Sequence, residues 1–227
     1  MIKYILWDID ATLLDFDLAE DNSIRYCFDY FDLGFCSADK LLAYKKINDK
    51  YWKALERREI DKKQVLIGRF VEFFNKYGYD ASIAEDFNEK YQKSLAKFSE
   101  FNPFAEEIVA YFHGKYRQFG ATNGTKIAQV GKLKKSGLDK SLEKVFISEE
   151  LGVEKPAKEF FDYIFSYIGD YNKNSYVIIG DSLTSDIQGG VNAAIKTIWF
   201  NPKNHQNTLN LRTDYVIKSL KDLKEIL

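Results

Sequence analysis

The chain has 227 residues, 45% of them hydrophobic and 30% charged, enough apolar material for one large domain or for a domain with a smaller companion. Its 33 basic and 34 acidic residues leave a net charge of -1, which argues against a nucleic-acid polymer or an anionic membrane as partner and points to small molecules. The opening MIKYILWD is a short apolar run cut off by Asp8, with neither a signal peptide's apolar region nor a membrane span, so the protein is expected to be cytoplasmic, as a monomer or a homodimer.

Residues 3–7 read as a strand that ends on Asp8 and Asp10, with Thr12 close behind. The long segment 16–100 carries apolar residues at helical spacing (Tyr44, Ile47, Tyr51, Trp52, Leu55; then Val65, Leu66, Phe70, Phe73, Phe74) and no strand alternation, which predicts an inserted helical unit whose aromatics mostly fill its own core. Cys27 and Cys36 within it match no disulfide framework or zinc site and are expected to be reduced, structural thiols. Asn102 is expected to cap a helix with Pro103 in its first position. Strands then follow at 116–121, 144–148, 175–180 and 196–200, separated by helical patterns at 124–136, 156–168 and 184–194, with a last helix at 218–227. This alternation predicts an α/β fold, a parallel sheet covered by helices on both faces, built from residues 1–15 and 101–227 around the 16–100 insertion.

Ligands of open parallel sheets bind at the carboxyl ends of the strands. The polar residues that fall there are Asp8 and Asp10, then Thr122, Asn123 and Gly124, then Lys155, then Asp181 and Asp186. Several carboxylates at short range cannot all stay ionised without a compensating cation, and oxygen ligands in this number suit Mg²⁺. Thr122, the backbone N–H groups that follow it and Lys155 supply donors and positive charge for a phosphoryl group. The stretch GATNGTK falls one residue short of a P-loop and its Lys does not follow the second Gly. His113 and His205 lack ligand-spaced partners and are expected to be structural or exposed.

Taken together, DIDAT at 8–12, Thr122 in GATNG, VEKP at 153–156 and GDSLTSD at 180–186 resemble the four motifs of the haloacid dehalogenase superfamily of phosphotransferases, in order and over essentially the whole chain. The resemblance implies a Rossmann-like catalytic core with a helical cap of the first type inserted after the first motif. It implies that Asp8 attacks phosphorus to give an aspartyl-phosphate, and that Asp10 protonates the leaving oxygen and then activates water. By the same carry-over, Asp8, the Asp10 carbonyl and Asp181 hold Mg²⁺, Thr122, Asn123 and Lys155 bind the phosphoryl oxygens, and Thr12, Ser182 and Asp186 support them. Ala11 stands where the superfamily usually has Gly, and a locally adjusted turn is expected there.

TNG at 122–124, ISEELGVEKP at 147–156, GRF at 68–70 and WFN at 199–201 look like the YjjG/YfnB-like branch, which implies hydrolysis of pyrimidine nucleoside 5'-monophosphates. In the cap, Trp52, Phe70 or a Tyr could stack on a base, and Arg69, Lys53 or Asn48 could bond its edge. Other enzymes on the scaffold stay open: a phosphatase of sugar phosphates or other small esters, or a phosphomutase. Asp10 and Asp181 argue against a dehalogenase. A receiver-like phospho-acceptor switch, of a different class, is disfavoured by the length of the chain and by the insertion after the first strand, which suits a lid.

Overall fold

The computed structural model describes all 227 residues. They divide into two units, Met1–Phe16 with Ser99–Leu227, and Asp17–Phe98. In the first unit six parallel strands form one sheet: β1 Tyr4–Trp7, β2 Arg117–Thr122, β3 Lys144–Ile147, β4 Tyr176–Gly180, β5 Lys196–Phe200 and β6 Tyr215–Ile217, in the order β3-β2-β1-β4-β5-β6. β1 lies at the centre between β2 and β4, and all four of its residues are buried. Side chains alternate along a strand, so such a run must be apolar on both faces. Ile5 and Trp7 join one core with Val109, Phe112, Val177 and Ile179, while Tyr4 and Leu6 join the other with Phe119, Phe161 and Ile178. The buried indole N–H of Trp7 donates to Gln118 Oε1 at 2.9 Å, which meets its hydrogen-bonding need inside the first core.

The helix Lys158–Ile168 has no side-chain cap at its start. It buries Phe160, Phe161, Ile164 and Phe165 instead, and at roughly 1.5–3 kcal/mol for each such side chain this packing outweighs a missing cap of about 1 kcal/mol. One sequence expectation needs correction. The helix expected from Asn102 and Pro103 starts at Ala105 and runs to Phe112, and the Asn102 side chain is turned instead to the Thr12 and Leu14 carbonyls, at 3.0 and 3.3 Å. The last helix, expected at 218–227, is present as a 3-10 turn over Leu220–Asp222 that runs on into Leu223–Ile226, and β6 precedes it.

The second unit is helical, with helices over Phe16–Tyr30, Ala38–Glu56, Lys62–Tyr77 and Ala84–Lys97. Its third helix opens on a capping box of Asp61 and Gln64 and closes on Gly78 in the left-handed region, φ 71°. Phe70, expected as a possible base-stacking residue, is fully buried and stacks on Tyr44 with ring centroids 5.3 Å apart, among Phe73, Phe74, Phe87 and Tyr91. Trp52 is half-buried with the Lys62 ammonium over its ring, and Lys53 is exposed and paired with Asp49. Cys27 and Cys36 are free. No helix is long and apolar enough to cross a membrane.

Candidate active site

The chain leaves β1 in a tight turn. Asp8 N–H donates to Ile179 O at 2.9 Å, extending the pairing with β4 by one residue, and the Leu13 and Leu14 N–H groups both return to Ile9 O. Ala11 N–H donates to Leu14 O at 2.8 Å, and Ala11 itself takes the left-handed conformation, φ 64°. The expectation of an adjusted turn is therefore corrected: the turn keeps the geometry that favours Gly and imposes it on Ala.

Lys155 is the centre of the constellation. Its ammonium, 1% exposed, donates to Asp8 Oδ1 at 2.8 Å, Asp186 Oδ1 at 2.6 Å and the Ala121 carbonyl at 2.6 Å. Burial alone would lower its pKa, but Asp186 and Asp8 outweigh that and raise it. The side chain of Asn123, a residue expected to bind phosphate, is bound at both ends by the Lys155 main chain: Nδ2 donates to Lys155 O and Oδ1 accepts from Lys155 N–H, each at 2.8 Å. Asn123 thus holds Lys155 in place.

Asp186 reaches this centre because residue 180 has no side chain. A Cβ on Gly180 would lie 2.2 Å from Asp186 Oδ2, so a larger residue would drive the carboxylate out. The Ser182 side chain accepts from Ser185 N–H and caps a π-helical turn, Leu183–Ile187, while Ser182 N–H donates to Asp186 Oδ2 at 3.0 Å. The Asp181 carbonyl accepts from Trp199 Nε1 at 2.8 Å, and Thr12 Oγ1 lies 3.4 Å from Asp181 Oδ1. Thr122, buried at the end of β2, accepts from Gly124 N–H at 3.0 Å.

Asp8, Asp181 and Asp186 place carboxylate oxygens within 4.8 Å of one another, with Lys155 as the cation in their midst. Burial and the neighbouring Asp186 push the Asp8 carboxyl up to about 7 against the pull of Lys155. Burial, followed by Asp8 and Asp186, holds Asp181 well above the usual carboxylate range. Asp8 Oδ2 is buried without a hydrogen-bond partner. An orphaned carboxylate oxygen facing excess negative charge is what a hard divalent cation relieves, and an all-oxygen donor set fits Mg²⁺. The Asp10 side chain stands outside this cluster, with Oδ1 2.6 Å from Lys132 Nζ and Oδ2 2.7 Å from Gln129 Nε2. Neither Lys132 nor Gln129 was singled out by the sequence reading. The available signal was their position on the same buried helix face as Ala128 and Leu133, where a Lys needs an acid to pair with. His113 and His205 are both exposed.

Residues 5–200 match the family of haloacid dehalogenase-like hydrolases. The chain is 35% identical to the pyrimidine 5'-nucleotidase PynA of Streptococcus pneumoniae, across 99% of this chain and 94% of that one. It is 33% identical to YfnB of Bacillus subtilis, named as a HAD-hydrolase, across 99% and 95%, and 27% identical to the pyrimidine 5'-nucleotidase YjjG of Escherichia coli, across 99% and 97%. The crystal structure of YfnB bound to magnesium superposes with a TM-score of 0.94 at 32% identity, covering all of this chain and 98% of that one.

Proposed function

The chain belongs to the haloacid dehalogenase-like hydrolase family, and on that premise we propose that it hydrolyses nucleoside 5'-monophosphates, those of pyrimidines above all, through a phosphorylated Asp8. The observation that carries the reading is the buried Asp8, fixed through one oxygen by Lys155 and left with the other unpartnered. Lys155 fixes the orientation of this carboxylate, which is what attack on an electrophile requires. The nucleotide reading is supported by likeness to PynA and YjjG along nearly their full lengths. Membership of a hydrolase family sets the phospho-acceptor switch aside.

Asp8 attacks phosphorus, and the ester oxygen leaves with the bonding electron pair and takes a proton from Asp10. The Asp10 carboxylate then takes a proton from water as that water displaces Asp8 and releases phosphate. Lys155 and Thr122 hold the equatorial phosphoryl oxygens, where the Lys155 charge offsets the repulsion between phosphate and carboxylates. Asn123 fixes the Lys155 backbone, and Asp186 fixes its ammonium. Thr12 orients Asp181. Mg²⁺, held by Asp8, the Asp10 carbonyl and Asp181, would neutralise charge on the transferring group.

The test is phosphate release from UMP, dUMP, dTMP, CMP, AMP, GMP, several sugar phosphates and p-nitrophenyl phosphate, with Mg²⁺ and with a chelator. Turnover that requires Mg²⁺ and is concentrated on the pyrimidine nucleotides is the expected result. Turnover confined to sugar phosphates would keep the chemistry and discard the substrate. Asp8→Asn should lower turnover on every ester by at least about 10³-fold while the far-ultraviolet circular dichroism stays unchanged.

A further inference from the structure

Lysine is seldom fully buried unless paired, because an ammonium taken out of water without an anion costs several kcal/mol. Lys132 is 1% exposed, and its ammonium lies 2.6 Å from Asp10 Oδ1 and 5.1 Å from the centre of the Phe16 ring. Three residues earlier on the same helix, Lys126–Ser136, the fully buried Gln129 donates to the second oxygen of the same carboxylate at 2.7 Å. Gln129 Oε1 has no partner, so the Asp10 contact is what the amide head is placed to make.

Gly124 completes the arrangement. A Cβ there would lie 2.1 Å from Gln129 Nε2 and 2.9 Å from its Cδ. The backbone of Gly124 is not in the left-handed region, so the residue is glycine for space. The space is the channel through which Gln129 reaches Asp10.

We propose that Lys132 and Gln129 are positioning residues for the acid–base carboxylate: a two-point hold, one donor on each oxygen of Asp10, that keeps it off the Asp8, Asp181 and Asp186 cluster and sets where the leaving oxygen meets its proton. This rests on the reading of Asp10 as general acid and base. An aspartate has two free side-chain torsions, and a single contact would leave the carboxylate plane free to turn. Two donors fix both torsions, and proton transfer requires that precision, since an acid works only within about 2.6–3.2 Å of its target and a displacement of about 1 Å can cost about 10²-fold in rate.

The experiment compares kcat/KM on an ester whose leaving oxygen must be protonated, UMP or glycerol 1-phosphate, with kcat/KM on p-nitrophenyl phosphate, whose phenolate leaves without a proton. Lys132→Met and Gln129→Leu should each lower the first by about 10²-fold and the second by less than about 5-fold, with Lys132→Arg recovering part of the loss. In an Asp10→Ala background, Lys132→Met should cause no further fall on the unactivated ester, because the group it positions is gone. Gly124→Ala should show the Gln129→Leu pattern in weaker form, and it keeps the proposal testable should Lys132→Met fail to fold. Equal losses on both esters in folded protein, or additive losses in the Asp10→Ala background, would overturn the proposal in favour of a purely structural ion pair. Wild-type protein that hydrolyses no ester at all would remove the Asp10 reading itself.

Discussion

At the scale of single residues, the turn after β1 shows a side chain working against its backbone. Ala11 at φ 64° bears a left-handed conformation that costs an L-residue roughly 1–2 kcal/mol, and only part of that is recovered from the lower entropy of Ala in the unfolded chain. Ala11→Gly should therefore stabilise the protein by about 0.5–1 kcal/mol in urea unfolding, and a loss of stability would show that the Ala methyl makes packing contacts worth more than the strain. The residues proposed to carry the chemistry could be picked out in the sequence because each follows an apolar strand: Asp8 after YILW, Thr122 closing β2, Asp181 after YVIIG. Those that hold them could not. Asn123 reads as part of a phosphate loop, and its two side-chain bonds to the Lys155 backbone are visible only in the fold, while Lys132 lies in a KLKK run whose other two lysines are exposed.

At the scale of elements, strands buried on both faces were legible because they are continuous apolar runs, whereas β6 was not. It is three residues long at the sheet edge, with Tyr215 and Val216 exposed, and so lacks both length and pattern. The helices of residues 17–98 were legible as a group, but their polar interior was not. Asn48 Nδ2 donates to Glu20 Oε1 at 2.8 Å, Arg69 donates to Asn48 Oδ1 at 2.7 Å and to Asn88 Oδ1 at 3.1 Å, and Arg69 is 1% exposed. Asn48 and Arg69, expected at the edge of a base, are thus bound to each other. Burial pushes the Glu20 carboxyl up to about 7 even though Lys45 and Arg69 pull it down, with Asp17 and Asp21 adding to the rise. The folded form thus binds this proton more tightly than the unfolded chain, whose pKa is near 4.5. Stability from this group is complete below about pH 4.5 and is lost as pH rises through about 7, by about 3 kcal/mol at most. Glu20→Gln removes the titration, so wild type should lose stability relative to the variant between pH 5 and pH 8 in denaturant unfolding. Asp8 and Asp181 titrate in both proteins and cancel in that comparison. A constant difference across the range would place the Glu20 charge in contact with water.

At the scale of the whole molecule, the insertion was legible because a helical period of more than eighty residues interrupts an α/β alternation, and such an interruption has a structural requirement at its ends. The chain must leave the sheet unit and return to it at neighbouring points, or the strands on either side could not pair. Asp15 N–H donates to Glu100 O at 2.9 Å and Leu14 bridges Phe101, so departure and return are held side by side within the sheet unit itself. The parallel pairing of β1 with β2 and β4, the Lys155 ion pairs and the Lys132–Asp10 contact all lie in that unit too. Replacing 17–98 by a short Gly-Ser linker therefore demands no rearrangement of the strands or of the carboxylate cluster, since the two ends are already within hydrogen-bonding distance. The shortened protein should fold cooperatively and keep hydrolysis of p-nitrophenyl phosphate. If the helical unit supplies base recognition, the shortened protein should lose discrimination between UMP, AMP and simple sugar phosphates, leaving kcat/KM values within about 10-fold of one another. Retained preference for pyrimidine nucleotides in the shortened protein would move base recognition into the sheet unit, where Trp199, 4% exposed with its indole N–H on the Asp181 carbonyl, offers no open face to a base.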